Sequence, residues 1–387
     1  MTEPLVEPGP PLAPARVARF SRQLMLPGFG ELAQRRLQAA RVLVVGAGGL
    51  GSAVVPALAG SGVGTIGVAD FDTVELSNLP RQLSHGVADL GRSKVDSLAE
   101  TVAASDPECR IVRHHERLTA TNLPRILDGY DLVVDGSDNF PTRYLTNDAA
   151  HLAGKPLVWG AILRYHGQIG VAWRGRGPGY RDLFPVPPAP GDVPSCELGG
   201  VLPSLCLVIG ALMATEVVKL VTGIGRPLIG RVLSYDALAA RTREIPYSVI
   251  ADADEITSLI DYEAFCGVDA VDGPDAADAD ALAVAPISAA EVLQWIRADR
   301  PLRLIDVREP NEAALRRIDG SILLPLAELL GGAEPPSGDG PIVVYCEVGI
   351  RSQRAVRELR RRGHSEVSSL DGGVERFAGV AAEFIAS

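Results

Sequence analysis

The chain has 387 residues, of which 47% are apolar and 22% are charged, and this composition predicts a soluble globular protein large enough for two domains. Its formal net charge of −11 argues against a nucleic-acid binder, because neutralising phosphates requires basic surfaces. Residues 1–14 are proline-rich and lack the apolar core of a signal peptide, so we expect them to be disordered. Five cysteines without regular spacing favour free thiols and a cytoplasmic location. The longest apolar run, residues 201–214, is too short to span a bilayer, so we expect a buried helix and no membrane partner.

Segments typical of strands and of helices alternate along most of the chain. Residues 41–72 have the pattern of a strand, a glycine-rich turn, a helix and a second strand, and further apolar strands follow. This alternation predicts an α/β fold with a doubly wound, mostly parallel sheet, which we place over residues 15–265. Residues 266–286 are rich in Ala and Asp and are predicted to be a linker. A second, smaller α/β domain is expected over residues 287–387.

A glycine-rich loop follows the first predicted strand, in the sequence Gly46-Ala47-Gly48-Gly49-Leu50-Gly51. It matches G-x-G-x-x-G, in which glycines let a phosphate approach the backbone at a helix N-terminus. Asp70 ends the following strand, where an acid can bond ribose hydroxyls. Taken alone, the motif fits a nicotinamide or flavin dehydrogenase as well as an ATP-dependent enzyme, and a tight turn without a ligand is a further alternative.

The polar residues that follow this loop favour a nucleoside triphosphate. An arginine and a lysine can neutralise the charge on departing pyrophosphate, and a carboxylate can hold Mg²⁺. A solvated charged face is the alternative, although Lys94 is one of only three lysines in the chain. The candidate nucleotide-binding residues are Gly46, Gly48, Gly49, Gly51, Asp70, Asp72, Asn78, Arg81, Gln82, Lys94, Asp138 and Asn139.

Five motifs occur in the order seen in MoeB/ThiF-type adenylyltransferases, which are bacterial relatives of ubiquitin-activating enzymes. They are RFSRQ (19–23), GAGGLG, DFDTVELSNLPRQ, GRSKV and DGSDN (135–139). The chain resembles this family over about residues 15–268. The resemblance implies a Rossmann-like fold and an enzyme that uses ATP to adenylate the C-terminal Gly-Gly carboxylate of a small ubiquitin-like sulfur-carrier protein.

The same resemblance implies roles for individual residues. Gly49 and Asp70 are expected to contact the nucleotide, and Asp138 to bind Mg²⁺. Arg22 is expected to reach the active site of the other subunit in a homodimer. The residues expected to hold the phosphates are Asn78, Arg81 and Lys94.

The chain departs from this family where many members carry a structural zinc on two C-x-x-C pairs. Gly179 and Asp182 occupy the first pair of positions, and Glu263 and Cys266 the second. One soft ligand cannot form the tetrahedral thiolate site that zinc prefers. We therefore predict no zinc, with local packing holding this corner.

Another family feature is a cysteine in a crossover loop that can cover the adenylate. Cys196 lies in such a segment, the proline-rich residues 184–200. It is expected to be either a second nucleophile that forms a covalent link to the carrier or an incidental exposed thiol. Cys109 and Cys206 are predicted to be structural.

A second loop begins at Cys346, which follows an apolar run and precedes Gly349, Arg351 and a helical pattern. Backbone N–H groups of such a turn form an anion nest that favours a thiolate or a persulfide. Four residues separate Cys346 from Arg351, one fewer than in a tyrosine-phosphatase-type loop, and the shorter loop favours sulfane sulfur over phosphate. A buried cysteine before a turn is the alternative.

The segments around this loop resemble a single rhodanese domain over about residues 287–385. The resemblance implies that Cys346 accepts sulfane sulfur as a persulfide, with thiosulfate as a candidate donor, and that Arg351 and the loop amides stabilise it. Asp306 and Arg308 are expected to brace the loop. Glu347, beside the thiol, is expected to discourage anionic donors.

The two resemblances together are closest to actinobacterial MoeZ-type fusions and imply one pathway, in which the persulfide attacks the carrier adenylate and reduction releases a thiocarboxylate. Molybdopterin, thiamine and cysteine biosynthesis all use such carriers. One rival keeps the adenylation but passes the carrier to a protein lysine through a Cys196 thioester. Another is a non-catalytic scaffold that binds carriers.

Overall fold

The computed structural model describes residues 3–188, 199–251, 255–266, 286–347 and 349–386. The chain divides into two compact units, Met1–Asp269 and Ala270–Ser387. This division falls within the predicted linker 266–286, of which residues 267–285 lie outside the described part of the chain.

A single eight-stranded sheet forms the centre of the first unit. Its strands are β1 (Arg41–Val45), β2 (Thr65–Ala69), β3 (Arg110–His114), β4 (Leu132–Asp135), β5 (Leu157–Leu163), β6 (His166–Ala172), β7 (Arg231–Asp236) and β8 (Arg241–Pro246). Their order is β3-β2-β1-β4-β5-β6-β7-β8, with β1 to β5 parallel and β6 to β8 added antiparallel. Strands β1 and β4 are buried along almost their whole length, which explains their continuous apolar sequences. The predicted mostly parallel sheet is confirmed.

Helices cover this sheet. They are α1 (Pro14–Arg19), α2 (Ser21–Leu24), α3 (Gly30–Ala39), α4 (Gly51–Ser61), α5 (Lys94–Ser105), α6 (Leu123–Leu127), α7 (Phe140–Leu152), α8 (Pro203–Thr222) and α9 (Tyr262–Phe265). Helix α8 has the length and apolar composition of a membrane span, but 61% of its most apolar window is buried inside the protein. It packs in the same core as α4, so the predicted buried helix is confirmed.

Residues 3–13 pack against the first unit, and the predicted disorder is wrong for them. Val6 and Leu12 are buried, and the N–H of Leu5 donates to the carbonyl of Leu220 at 2.9 Å. The Arg35 guanidinium also donates to the Gly9 carbonyl at 2.8 Å. The prediction failed because an extended, proline-rich segment needs only a few buried side chains and backbone bonds to be held in place.

The second unit is a smaller α/β domain, as predicted. Its strands are β9 (Arg303–Asp306), β10 (Arg317–Ile318), β11 (Ile322–Leu323), β12 (Ile342–Tyr345), β13 (Val367–Ser369) and β14 (Ile385–Ala386). Four of them form a parallel sheet in the order β11-β9-β12-β13, and β10 pairs antiparallel with β14. Its helices are α10 (Ala289–Arg297), α11 (Pro310–Ala313), α12 (Leu326–Leu330), α13 (Ile350–Arg361) and α14 (Gly373–Val380).

Candidate active sites

The glycine loop lies where three strand ends meet. Strand β1 lies between β2 and β4, so the segments after these three parallel strands converge at one edge of the sheet. Gly46 has φ of +89°, and a Cβ there would lie 3.1 Å from the carbonyl oxygen of Gly136. The glycine loop therefore packs directly against the segment after β4 that carries Asp138.

Two further glycines of the motif are required by packing within the protein. A Cβ at Gly51 would lie 1.8 Å from the carbonyl oxygen of Gly46, and one at Gly49 would lie 2.9 Å from the sulfur of Cys206. Gly48 differs, because the nearest atom to a Cβ there is Nε2 of Gln82, at an ordinary contact distance of 3.7 Å. The open space of the motif is thus at Gly48.

Gln82, whose Nε2 is the atom nearest to this space, carries an unsatisfied oxygen on the same amide. Its side chain is 2% exposed, and its Oε1 has no hydrogen-bond partner among the described residues. A buried polar oxygen without a partner is unfavourable. A ligand that brings an N–H or O–H donor to this loop would satisfy it, so the residues present fit a bound nucleotide.

Both backbone polar groups of Ala47, within the loop, have side-chain partners. Its N–H donates to Oδ2 of Asp70 at 2.7 Å, and its carbonyl lies 3.3 Å from Nε2 of His85. The other His85 nitrogen lies 2.8 Å from the hydroxyl of Ser97 on α5, and burial lowers the pKa of this histidine. Sequence reasoning missed this role of His85, since no local pattern indicates it. Asp70, predicted to bind the nucleotide, here braces the loop, and its oxygens keep lone pairs for a ligand.

The cationic candidates lie on the segments after β2. Lys94 begins α5, and its ammonium lies 2.8 Å from Oδ2 of Asp72. Arg81 donates to the Ser77 carbonyl at 2.8 Å, and Asn78 Oδ1 accepts from the Glu75 N–H at 3.2 Å. Arg81 and Asn78 therefore stabilise their own turn in this conformation.

The segment after β4 contains one exposed carboxylate, that of Asp138. This suits Mg²⁺, which typically takes one or two protein carboxylates and completes its shell with phosphate oxygens and water. Asn139 caps α7 by accepting the N–H of Thr142 at 2.9 Å, so its observed role is structural. In the described part of the chain, no three His, Cys, Asp or Glu side chains form a metal cluster on their own.

A buried ion pair that the sequence did not reveal supports the same segment. Arg143 Nε lies 3.2 Å from Oδ2 of Asp135, and its Nη2 donates to the carbonyl of Ser137 at 2.7 Å. Asp135 in turn accepts the Ser137 N–H at 3.0 Å. These bonds fix the backbone immediately before Asp138.

Arg22 lies away from the glycine loop. It lines an open cavity of about 600 Å³ whose wall includes Gly60, near the C-terminal end of α4. The glycine loop is at the other end of this 11-residue helix, about 16 Å away at 1.5 Å per residue. Cys196 lies outside the described residues.

Contacts among side chains and backbone hold the corner at residues 179–182 and 263–266, where the sequence predicts no zinc. Asp182 accepts the N–H groups of Gly179 at 2.7 Å and Ile250 at 2.8 Å. Asp148 is 1% exposed and binds the Arg181 guanidinium and the Tyr262 hydroxyl, the latter at 2.7 Å.

The one cysteine at this corner has the properties of a core residue. Cys266 is buried within an apolar cluster. Burial, reinforced by the Glu263 carboxylate, raises the pKa of its thiol to about 11. Glu263 pairs with Arg117. These contacts agree with the expectation of local packing at this corner.

In the second unit, Cys346 directly follows β12 and is 1% exposed. Its sulfur accepts the Gly349 N–H at 3.1 Å and lies 3.7 Å from the Ser352 hydroxyl. Gly349, with φ of +106°, turns the backbone so that its N–H points at the sulfur. The turn thus places a backbone donor against the sulfur, as the predicted anion nest requires.

Ion pairs surround this loop. Arg308 is fully buried, bonds Asp306 at 2.7 Å and donates to Glu347 at 2.7 Å, so the expected bracing by Asp306 and Arg308 is confirmed. Arg316 also pairs with Glu347, so this carboxylate is neutralised.

Arg351 makes a contact that the sequence did not predict. Its Nη1 and Nη2 donate to the two carboxylate oxygens of Glu312 at 2.8 and 2.6 Å. The resemblance implied that Arg351 helps to stabilise the persulfide; in the structure its two terminal nitrogens bind this carboxylate. Glu312 lies 39 residues away in sequence, and no short-range pattern links the two.

Comparison with known proteins assigns both units. The sequence model of the ThiF family matches residues 20–252, more than half of the chain. The chain belongs to the ThiF family. The rhodanese-like domain model matches residues 288–379. The first unit is therefore called the ThiF unit and the second the rhodanese unit.

The relatives match either nearly the whole chain or about two thirds of it. The chain is 47% identical over 382 residues to a probable adenylyltransferase/sulfurtransferase MoeZ of Mycobacterium tuberculosis, covering 97% of this chain and 96% of the relative. It is 48% identical over 261 residues to a sulfur carrier protein adenylyltransferase of Thermus thermophilus, covering 65% of this chain and 96% of that protein. The crystal structure of E. coli MccB with MccA-N7isoASN has a TM-score of 0.55 at 20% identity over 64% of this chain and 75% of the other, which shows the fold alone. The ThiF–rhodanese chain is thus an enzyme of the adenylyltransferase and sulfurtransferase type.

Proposed function

We propose that the ThiF unit uses ATP to adenylate the C-terminal Gly-Gly carboxylate of a small ubiquitin-like sulfur-carrier protein, and that the rhodanese unit supplies sulfur to the product. The observation that carries this proposal is that a single chain combines an open glycine loop at Gly48 with a cysteine, Cys346, whose sulfur accepts a backbone N–H. The carrier as partner is supported by the name of the Thermus relative.

In the adenylation step, the carrier carboxylate attacks the α-phosphorus of ATP, and pyrophosphate leaves with the electrons of the broken P–O bond. The protein contributes orientation and charge neutralisation. Lys94 and Arg81 are the candidate cations, on the segments after β2, and Gln82 offers its unsatisfied oxygen to the nucleotide. Asp138 would hold Mg²⁺, which would neutralise phosphate oxygens when bound.

In the sulfur step, the Cys346 thiolate accepts sulfane sulfur from a donor such as thiosulfate, and sulfite leaves. The resulting persulfide attacks the acyl-adenylate carbonyl, forming a C–S bond and releasing AMP. A thiol then attacks the acyl disulfide at the Cys346 sulfur and releases the carrier thiocarboxylate. A second thiol frees Cys346 and completes the two-electron reduction.

The position of Arg22 supports a homodimer in which each subunit completes the other's site. Arg22 makes no ion pair with the residues that the structure describes and lies far from its own glycine loop. A guanidinium in this position is available to phosphates of a second subunit. Cys109, Cys266 and Cys346 form no disulfide with one another, which supports a reducing cytoplasm as the location.

The division of labour can be tested with two variants. We expect Cys346→Ala to keep carrier-dependent ATP–pyrophosphate exchange and to lose thiocarboxylate formation. Lys94→Gln should lose exchange and still form a persulfide with thiosulfate. The substrate is a candidate small protein ending in Gly-Gly, and the control is the same protein without those two glycines. Mass spectrometry detects the thiocarboxylate and the persulfide. If Cys346→Ala loses both activities or neither, the proposal is wrong, and a thiol-labile carrier adduct at Cys196 without a sulfur donor would indicate conjugation instead.

A further inference from the structure

The charges around Cys346 are balanced within the rhodanese unit. Arg308 and Arg316 face Asp306 and Glu347, and Arg351 faces Glu312. Glu347, which the sequence indicated as the residue opposing anions, is neutralised by two of these arginines. Among the three arginines, only Arg351 belongs to the loop that begins at Cys346, so its partner determines whether that loop offers a cation to a donor.

Glu312 is fixed in position by the start of α11. Its Oε2 accepts the backbone N–H of Glu309 at 2.9 Å, and its side chain and that of Arg351 are each only 15% exposed. Burial by itself would raise the pKa of Glu312, but the bonds from Arg351 and Glu309 outweigh it, and the pKa is lowered. The carboxylate is therefore ionised at neutral pH.

We propose that Glu312 is a specificity-determining residue of the sulfur site, which occupies both terminal nitrogens of Arg351 and so disfavours free dianionic sulfane donors such as thiosulfate. A bidentate arginine–carboxylate pair is among the stronger polar contacts in proteins. Here both partners lie on helices of the rhodanese unit, Glu312 on α11 and Arg351 on α13. A thiosulfate ion must displace this carboxylate, or bind beside it, to use the guanidinium. Discrimination by an opposing charge is a common route to specificity.

The affected step is the loading of Cys346. The thiolate attacks the outer sulfur of thiosulfate, the new S–S bond forms, and sulfite leaves with the electron pair of the broken bond. Both the incoming ion and sulfite carry two negative charges, so a guanidinium free to bind them would lower the KM. The proposal rests on Cys346 being the sulfur acceptor.

The test is the thiosulfate:cyanide sulfurtransferase activity of the full-length chain with Glu312→Gln. We expect the KM for thiosulfate to fall about tenfold, with a smaller change in kcat, because one charge-assisted contact becomes available. Glu328→Gln is the matched control. It removes the same charge, and Glu328 is exposed and forms no ion pair with the described residues. Its KM should not change.

A combined variant makes the assignment specific. In Glu312→Gln/Arg351→Gln the gain should disappear, because no guanidinium remains on the loop. If Glu312→Gln does not fold by circular dichroism, Glu312→Asp, whose carboxylate is one methylene shorter, should lower the KM in the same direction. An unchanged or higher KM in the folded variant, or a gain that persists without Arg351, would overturn the proposal.

A separate measurement distinguishes this proposal from the proposed function. The mass of the wild-type chain after treatment with inorganic polysulfide should increase by one sulfur at Cys346. If that persulfide forms while the KM results are negative, only the role of Glu312 is wrong. If it does not form, both proposals are wrong.

Discussion

The ammonium of Lys94 lies 2.8 Å from the carboxylate of Asp72, and the backbone N–H of Lys94 donates to the Asp72 carbonyl at 3.0 Å. The lysine side chain is 8% exposed and the aspartate 49%, so the cation is held inward while its partner faces solvent. Helix α5 thus begins at a fixed distance from the segment after β2. This arrangement positions one of the chain's three lysines at the edge of the sheet where the glycine loop lies.

Replacing Lys94 by Gln should lower carrier-dependent ATP–pyrophosphate exchange by about a hundredfold or more, because it removes a positioned cation from the departing pyrophosphate. Asp72→Asn is the comparison, since it keeps the amine and removes only its partner. We expect a smaller loss for Asp72→Asn. Exchange in Lys94→Gln equal to that of the wild type would exclude the proposed role.

The glycine loop allows a matched pair of substitutions. Gly51→Ala places a Cβ 1.8 Å from the Gly46 carbonyl oxygen, so we expect a destabilised ThiF unit in thermal unfolding. Gly48→Ala meets nothing closer than 3.7 Å and should fold normally. If a nucleotide occupies that space, Gly48→Ala will still raise the KM for ATP. A normal KM with a normal fold would mean that the phosphates bind elsewhere.

The candidate site residues could be predicted from the sequence where they lie next to one another along the chain. The glycine loop, Asp70 and the Cys346 loop are short segments whose conformation is largely set by their own residues and by the strand before them. Their positions at the ends of β1, β2 and β12 agree with the prediction. By contrast, the sequence could not predict that Asn78 and Asn139 act as local caps, because the same side-chain amide can bond either to a ligand or to the backbone.

Contacts between distant segments could not be predicted. Glu312 and Arg351 come from different helices, and His85 reaches Ala47 across 38 residues. Such pairs depend on how elements pack and leave no periodic signal in one sequence. The N-terminal segment shows the same limit, because the burial of Val6 and Leu12 depends on a surface formed by the rest of the unit.

Mixing two inactive variants tests whether Arg22 acts across a dimer. Arg22→Ala and Lys94→Gln should each lose ATP–pyrophosphate exchange. If Arg22 completes the partner's site, a mixed dimer has one site with both residues intact, and random exchange of subunits should restore about a quarter of the wild-type activity. The control is a mixture of Lys94→Gln with the double variant Arg22→Ala/Lys94→Gln. Failure to recover activity after subunit exchange has been verified would place Arg22 outside the partner's site.

The corner around Asp148 provides a test of the expectation that the chain has no zinc. Asp148→Asn leaves the half-buried Arg181 without its carboxylate, so we expect the free energy of unfolding to fall by about 1–3 kcal/mol in urea. Tyr262→Phe removes only one hydroxyl bond and should lower it by about 1 kcal/mol. Because these contacts hold the corner, a strong zinc chelator should leave the melting temperature of the wild-type chain unchanged. A chelator-dependent decrease, with zinc detected in the purified protein, would contradict this account and point to ligands outside the Asp148 network.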